Sequence, residues 1–411
     1  MSHSRRQFIT RGVTFVGAGL AAPRFLLGRG SGIARAAGRG NGKILVVVEM
    51  NGGNDGLNTV VPFTDPRYSQ YRRSLALAPG SLVPLTDSLG LHPSLASLKG
   101  LYDQNRVAIV QGVGYPSPNL SHFRSTEIWQ TAEPDAIAST GWLGRYLDTI
   151  AIPGSTMLDA INIGFETPAV LATATSAGVA SIDSFASYTI AGDGAQPQDD
   201  ANKFSAFAGL YDDVRGEEAT LDFIANTGLA AYESSGVISQ VADDYVPAVA
   251  YPEDPFSQSL LKIAQLIGAN LGTDIYVTGL GSFDTHANQA GDHARLLQWL
   301  SDGLAAFHQD VVAHGRGDDV LVMTFSEFGR RVNENESFGT DHGTAAPLFL
   351  LGNAVSGGIY GDHPSLVNLD DNYDLIHEID FRSVYATVLR HWLQVEPESI
   401  LGSAFEDIGF L

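Results

Sequence analysis

Asp274-Ile-Tyr-Val-Thr278 and Asp319-Val-Leu-Val-Met-Thr324 are short apolar runs rich in β-branched residues, and a polar motif comes after each. The first run leads to Ser282-Phe-Asp284-Thr-His286-Ala-Asn288-Gln289, and the second leads to Ser326-Glu327-Phe-Gly-Arg330. Such runs are typical of buried strands in a parallel sheet. An open α/β sheet places its chemistry outside the carboxyl ends of its strands, so these stretches predict both a fold and a site.

Strands and helices alternate along the rest of the chain. Lys43-Ile-Leu-Val-Val-Val-Glu49 and Arg106-Val-Ala-Ile-Val-Gln111 predict two further buried strands, and residues 347–351 predict another. Helical patterns cover residues 95–104, 259–271 and 293–314, and a further helix begins at Ser121. This alternation predicts an α/β fold with a mainly parallel, doubly wound sheet and helices on both faces.

Residues from about 150 to 250 differ in composition, because Ala, Ser, Thr, Gly and Asp dominate them. We interpret them as an inserted cap-like region within one domain that spans residues 43–411. With 411 residues the chain can bury a large core.

The N-terminus has the pattern of a twin-arginine signal peptide over residues 1–36. Ser4-Arg5-Arg6-Gln7-Phe8-Ile9 is followed by a weakly apolar stretch and by the small-residue site Ala34-Arg35-Ala36. Pro23-Arg24 interrupts the apolar stretch, which is too short to cross a bilayer comfortably. We therefore expect export by the twin-arginine machinery, a periplasmic or secreted protein, and no stable membrane anchor after cleavage.

The charge of the chain excludes some partners. Cleavage after Ala36 removes six arginines and no acidic residue, so the formal net charge of −22 becomes −28. A chain this acidic repels nucleic acid and anionic membranes. There is no cysteine, so no disulfide framework forms. Oxygen and imidazole ligands without sulfur suit a hard or borderline divalent metal such as Zn, Mn, Mg or Ca.

Six motifs in one order resemble those of the domain-of-unknown-function 1501 family, whose members are similar to the alkaline phosphatase and sulfatase superfamily. They are Gly52-Gly-Asn-Asp-Gly-Leu-Asn58, Ser121-His-Phe-Arg124, Asp284-Thr-His-Ala-Asn-Gln289, Ser326-Glu-Phe-Gly-Arg330, Gly339-Thr-Asp-His-Gly343 and Asp380-Phe-Arg-Ser-Val-Tyr-Ala386. The resemblance implies an alkaline-phosphatase-like architecture over nearly the whole mature chain.

The resemblance also implies roles for individual residues. Ser121 takes the position of the nucleophile. From the residue types alone, His122 beside it could be a ligand, a base or a half-buried helix residue, and Arg330 could hold the ester anion through two hydrogen bonds. The implied metal ligands are Asp55, Asp284, His286, Glu327, Asp341 and His342.

Asp341 and His342 resemble the superfamily's strand-end pair by residue type. By topology, however, Glu327 takes that place, and His342 is the final histidine with Asp341 beside it. This exchange of a histidine for a carboxylate departs from the superfamily pattern and favours a single or harder metal over a two-zinc site.

Each of these residues also has a purely structural alternative. Asp55 fits a tight turn, and Ser121 alone is sufficient as a helix N-cap. Glu327 and Arg330 could form a buried ion pair. Asn288 and His293 are secondary candidates, for a carbonyl ligand and for an orienting or capping residue.

The function that fits these features is a metal-dependent hydrolase of phosphate or sulfate esters, with Ser121 attacking an anionic ester that is either a small molecule or part of a polymer. The alternative is an exported binding or assembly protein that keeps the fold without the enzymatic activity.

Overall fold

The structure is a computed structural model that describes residues 41–151, 158–175, 178–186, 188, 202–203, 205–206, 209–210 and 219–411. The predicted signal peptide over residues 1–36 lies outside the described residues. Among the helices that can be described, none is both long enough and apolar enough to cross a membrane.

Two sheets organise the described residues. The strands are β1 Ile44–Met50, β2 Val60–Val61, β3 Val83–Pro84, β4 Gly90–Leu91, β5 Val107–Gly114, β6 Ala160–Ile163, β7 Val179–Ile182, β8 Ile275–Leu280, β9 Val320–Phe325, β10 Ala346–Gly352, β11 Gly358–Tyr360 and β12 Ile379–Asp380. The central sheet has nine strands in the order β11-β5-β10-β9-β1-β8-β6-β7, with β12 also paired to β5, and β2-β4-β3 form a small second sheet.

Helices connect and cover these strands. The α-helices are α1 Gly56–Thr59, α2 Pro66–Tyr71, α3 Ala96–Tyr102, α4 His122–Thr131, α5 Trp142–Ile150, α6 Ala219–Asp244, α7 Pro255–Gly268, α8 Gln289–Ala313, α9 Phe381–Thr387 and α10 Pro397–Leu401. Short 3₁₀ turns occur at Pro79–Ser81, Pro93–Leu95 and Ala169–Leu171, and a π-helical turn at Val388–Trp392.

The predicted mainly parallel sheet is confirmed. β1 pairs in parallel with β8 on one side and with β9 on the other, and β6 and β7 continue the parallel arrangement. β10 runs antiparallel to both of its neighbours, β5 and β9. As a result, the carboxyl ends of β1, β5, β8 and β9 lie at the same edge of the sheet as the amino end of β10.

The sheet is covered on both faces, as the sequence predicts. All seven residues of β1 are buried. Val46 and Val48 lie in one core with apolar residues of α3, α7 and α8. Leu45 and Val47 lie in the other core with residues of α4, α5 and α9. Successive side chains of a strand point to opposite faces, so a strand that is apolar throughout requires such a two-sided covering.

The region predicted as a cap-like insertion is only partly described. Its strands β6 and β7 extend the central sheet beyond β8, and its helix α6 contacts α7. Residues 152–157, 176–177, 187 and most of residues 189–218 lie outside the described residues.

Candidate metal centre

Five segments meet at the sheet edge defined above. The loops after β1, β8 and β9 contribute residues 51–55, 281–288 and 326–330, and the segment before β10 contributes Asp341 and His342. Helix α4, which follows β5, contributes His122 at its first turn and Ser121 as its N-cap residue. The fold thus brings together motifs that are far apart in the sequence.

Asp284 lies among His122, His286 and His342, and these four residues form the histidine cluster. Its Oδ1 atom lies 2.9 Å from His286 Nε2 and 3.1 Å from His342 Nε2. Its Oδ2 atom lies 3.5 Å from His122 Nε2. The Nε2 atoms of His286 and His342 are themselves 3.0 Å apart. Ligand atoms of His122, Asp284 and His342 all lie within 4.8 Å of one another, so these residues could hold a metal ion.

The other ring nitrogen of each histidine faces an acceptor. His122 Nδ1 lies 2.9 Å from Glu327 Oε1, His286 Nδ1 lies 2.9 Å from Asp341 Oδ1, and His342 Nδ1 lies 2.7 Å from the Leu120 carbonyl oxygen. A carboxylate or carbonyl oxygen can only accept, so Nδ1 is the protonated nitrogen in all three rings. Each Nε2 faces the Asp284 carboxylate, where either a proton or a metal cation can join the two groups.

The Nε2 atoms and the carboxylate oxygen at these separations need a proton or a metal cation among them. The spacing of about 3 Å is that of adjacent ligands around a metal with bonds of about 2.1 Å. Histidine ligands whose second nitrogen is held by a carboxylate or carbonyl are a regular feature of metal sites. Asp284 and the three histidines therefore fit a divalent cation as its ligands.

Asp284 is ionised under all ordinary conditions. Partial burial acts to raise its pKa, but hydrogen bonds from Arg330 and His342 outweigh burial and lower the pKa to about 2. A carboxylate that stays charged beside three imidazoles is suited to binding a cation.

Glu327 lies beneath His122 and is only 3% exposed. Its carboxylate accepts hydrogen bonds from the backbone N–H of Gly52 at 2.8 Å and of Gly53 at 3.3 Å. The structure therefore places Glu327 as the residue that orients His122. Gly52 has φ +116°, and a Cβ there would come within 2.3 Å of the Asp284 backbone nitrogen, so the contact between these loops requires glycine.

Asp341 contacts Nδ1 of His286 as Glu327 contacts Nδ1 of His122. Its pKa is lowered, chiefly by the hydrogen bond with His286. Asn335 donates to Asp341 Oδ1 at 3.1 Å and to the His286 carbonyl at 2.9 Å, and so holds the pair together.

The Arg330 side chain is buried, and most of its hydrogen bonds go to backbone carbonyl groups. Its Nε donates to the Gly53 carbonyl at 2.8 Å, and Nη1 donates to the Thr340 carbonyl at 2.8 Å. Nη2 donates to Asp284 Oδ1 at 2.7 Å, to the Phe283 carbonyl at 3.0 Å and to the carbonyl of Gly52. The side chain joins three loops from below, so it is not placed to hold a substrate anion, and its ionic partner is Asp284 instead of Glu327.

Asp55 is likewise buried below the cluster, at 1% exposure. Both Nη atoms of Arg72 and the Gln289 amide donate to its carboxylate, so its oxygens are committed to these partners. Burial acts to raise its pKa, and the charge of Arg72 lowers it below the ordinary value. The secondary candidate His293 is also buried, and it hydrogen bonds Asn54 at 3.1 Å.

Ser121 lies at the exposed rim of the site. Its backbone N–H donates to Asn119 Oδ1 at 2.9 Å, and its side chain forms no capping hydrogen bond. Its neighbour His122 belongs to the cluster, and the carbonyl of its other neighbour, Leu120, is bound by His342. Asn288 begins α8 with φ 49° and forms no side-chain cap.

Sequence reasoning did not identify two contributors. The Leu120 carbonyl is a backbone group, for which no side-chain motif exists, and Asn335 lies in a loop without a recognisable pattern. Gly52 does have a signal, since adjacent glycines directly after a buried strand favour close approach of the backbone.

The family comparison supports the resemblance seen in the sequence. The model of the family described as "Protein of unknown function (DUF1501)" matches residues 92–395. No curated protein matches the chain by sequence.

Solved structures that resemble this one do so weakly. Ps i-CgsB in complex with k-i-k-neocarrahexaose is 9% identical, with 89% of this chain and 73% of that chain covered and a TM-score of 0.37. PsFucS1 sulfatase from Pseudoalteromonas sp. is 10% identical, with 89% and 70% covered and a TM-score of 0.39. Lipoteichoic acid synthase LtaP from Listeria monocytogenes is 9% identical, with 79% and 69% covered and a TM-score of 0.32. Similarity at this level carries no argument about the present chain.

Replacing Arg330 with lysine tests whether it joins the loops of the site. A lysine keeps the charge but cannot reach Gly53, Thr340 and Asp284 together, so buried carbonyl groups lose their donors. We expect the free energy of unfolding, measured by denaturant titration, to fall by about 3 kcal/mol. In the control Arg331→Lys the side chain is 41% exposed. There we expect a change within about 0.5 kcal/mol. Equal losses in the two variants would show that Arg330 has no special structural role.

Proposed function

The chain belongs to the DUF1501 family, and we propose that it is an exported, metal-dependent hydrolase of phosphate or sulfate esters. One observation carries the proposal. Three imidazoles, each with Nδ1 bound to an acceptor, turn their Nε2 atoms toward the ionised Asp284. A site that gathers donors in this way is built for a cation, and its exposed rim leaves room for a second reactant.

In this proposal Asp284, His122, His286 and His342 hold the cation. Imidazole ligands favour zinc, and the carboxylate ligand also suits manganese. When bound, a divalent cation would polarise the ester and stabilise the charge that develops during hydrolysis.

Three other predicted site residues, Glu327, Asp341 and Arg330, position these four ligands. Glu327 and Asp341 fix the tautomer and the ring orientation of His122 and His286. Arg330 keeps Asp284 ionised and in place. Phe328, 2% exposed, packs against the rings of His122 and His342 and excludes water from that side.

The charge balance explains why an anionic ester needs the cation. Three carboxylates, on Asp284, Glu327 and Asp341, contact the histidines, and the charge of Arg330 is buried beneath them. This arrangement repels a phosphate or sulfate group until a divalent cation is bound.

Ser121 is the proposed nucleophile. Its position at the N-terminus of α4 is favourable for an oxygen on which negative charge develops. Its Oγ forms the new bond to the ester centre as the bond to the alcohol breaks, and water then releases the acid from the serine. The hydroxyl proton of Ser121 passes to solvent, and the departing alcohol takes up a proton from solvent, so the charges balance.

A second candidate function is binding without catalysis. The observation that favours it is the placement of Arg330, which leaves no arginine of the six motifs free to hold the ester anion. Arg124 donates to the carbonyls of Glu133, Pro134 and Ala136, and Arg382 donates to the Asp380 carboxylate. In that case the protein would bind metal and have no hydrolytic activity.

The metal prediction is tested by thermal melting. A bound cation stabilises the folded state by mass action, so a chelator should lower the melting temperature of the wild type by about 5 °C. His286→Ala should remove this difference. The control is His391→Ala, which removes an exposed histidine bound to Asp407 and should keep the full chelator effect. If the wild type, shown by elemental analysis to be metal-free as purified, melts identically with added zinc, manganese and chelator, the metal proposal is wrong.

The nucleophile is tested by turnover on aryl phosphate and aryl sulfate esters. Ser121→Ala should lower kcat at least about a thousandfold, because the attacking atom is lost. Its melting temperature and metal content should hardly change, because the exposed Ser121 side chain forms no capping hydrogen bond. The exposed Ser88→Ala serves as control. Full turnover in Ser121→Ala would make Ser121 structural, and a metal-loaded wild type without turnover on any such ester would favour the binding function.

Export depends on the arginine pair in this proposal. Replacing Arg5 and Arg6 with lysines keeps the charge but removes the pattern that the twin-arginine machinery recognises, so the unprocessed protein should stay in the cytoplasm. The matched control replaces Arg11 and Arg24 with lysines and should be exported. Cell fractionation distinguishes the outcomes, and normal processing of the Arg5/Arg6 variant would contradict the assignment.

A further inference from the structure

A short acidic loop lies outside the site described above. Leu369 and Leu375 pair as an isolated antiparallel bridge and close a turn of five residues between them. The turn is Asp370-Asp371-Asn372-Tyr373-Asp374. The backbone N–H groups of Asn372 and Asp374 both donate to Asp370 Oδ1, each at 2.8 Å. The alternation of Asp370, Asn372 and Asp374 matches the first three ligand positions of a calcium-binding loop.

Asp374 is the feature that requires explanation. Its residue exposure is 0%, and neither of its carboxylate oxygens has a hydrogen-bond partner. The nearest cation is the half-exposed Arg331, whose Nη2 lies 3.9 Å from Oδ2. Burial is the main reason that the pKa of Asp374 rises to about 6, and Arg331 offsets only part of this effect. A buried carboxyl group without hydrogen bonds costs free energy unless a cation joins it.

The loop forms one wall of a cavity of about 520 Å³. Asp370, Asp371, Asn372 and Asp374 line that wall, and Leu120 and Thr344 line the side toward the histidine cluster. The Thr344 hydroxyl also donates to the Leu375 carbonyl, which ties the loop to the segment before β10. A hydrated cation can therefore reach Asp370 and the exposed Asn372 from the cavity, and the buried Asp374 would join the ion once it has shed water.

We propose that the Asp370–Asp374 loop binds a calcium ion through Asp370, Asn372 and Asp374, at a site separate from the histidine cluster. All of the proposed metal ligands in the loop are oxygen atoms, which suits calcium and disfavours zinc. The loop carries three carboxylates, and Arg331 approaches only one oxygen of Asp374, so the local charge stays negative.

The loop departs from the full calcium pattern in two ways. Leu375 stands where that pattern has glycine, and Phe381 stands at the position of the bidentate glutamate. Fewer protein ligands mean weaker binding, so we expect a dissociation constant of about 10⁻⁴–10⁻³ M, the range of extracellular calcium modules.

Thermal melting with calcium chloride alone tests this site. In tenfold excess over its dissociation constant, calcium should raise the melting temperature of the wild type by about 3 °C. Asp374→Asn should abolish the rise. In calcium-free buffer the same variant should melt at or above the wild type, because it removes a buried charge without hydrogen bonds. The control Asp87→Asn, at an exposed loop position, should respond to calcium as the wild type does.

Equilibrium dialysis with radioactive calcium supplies a second measurement that does not depend on stability. Asn372→Ala changes an exposed loop residue and should weaken binding about tenfold, whereas His286→Ala should bind as the wild type does. The latter result separates this site from the histidine cluster. The proposal is overturned if the wild type binds no calcium at millimolar concentration, or if Asp374→Asn and Asn372→Ala bind it as well as the wild type.

Discussion

The contact between the buried guanidinium of Arg330 and the carboxylate of Asp284 holds the site together. One side chain binds carbonyl groups from the loops after β1 and β8 and from the segment before β10, and it reaches Asp284 at 2.7 Å. The charge of Arg330 compensates for the partial burial of Asp284, and the carbonyl groups satisfy the remaining donors. Three imidazoles can then gather around a carboxylate whose position and charge are fixed.

Much of the fold was predictable because its signals are local. Continuous apolar runs predicted β1, β5, β8, β9 and β10, and their alternation with helical patterns predicted a parallel sheet covered on both faces. The motif positions also predicted which edge of the sheet carries the polar residues, since the carboxyl ends of parallel strands meet there. The direction of β10, the sheet extension by β6 and β7, the short strands β11 and β12 and the small second sheet went beyond these signals, because they depend on pairing between distant segments.

The site was predictable in part. Alternate residues in an extended loop point to one side, so Asp284 and His286 could be expected to act together, and the structure brings His342 to them. The sequence could not distinguish a residue that faces the open site from one that lies beneath it. Glu327 and Arg330 follow a strand end just as Asp284 does, yet backbone groups of neighbouring loops bind them below the cluster. Such contacts depend on tertiary structure and leave no pattern in the chain.

The central claim is that His122, His286 and His342 present their Nε2 atoms to one cation beside Asp284. Anomalous diffraction from crystals grown with manganese or zinc would test it most directly. We expect a single strong peak at this edge of the sheet, within about 2.0–2.3 Å of the Nε2 atoms of His122, His286 and His342 and of an oxygen of Asp284. A fully occupied metal elsewhere in the chain with none at Asp284, or a metal bound through Nδ1 of these rings, would contradict it.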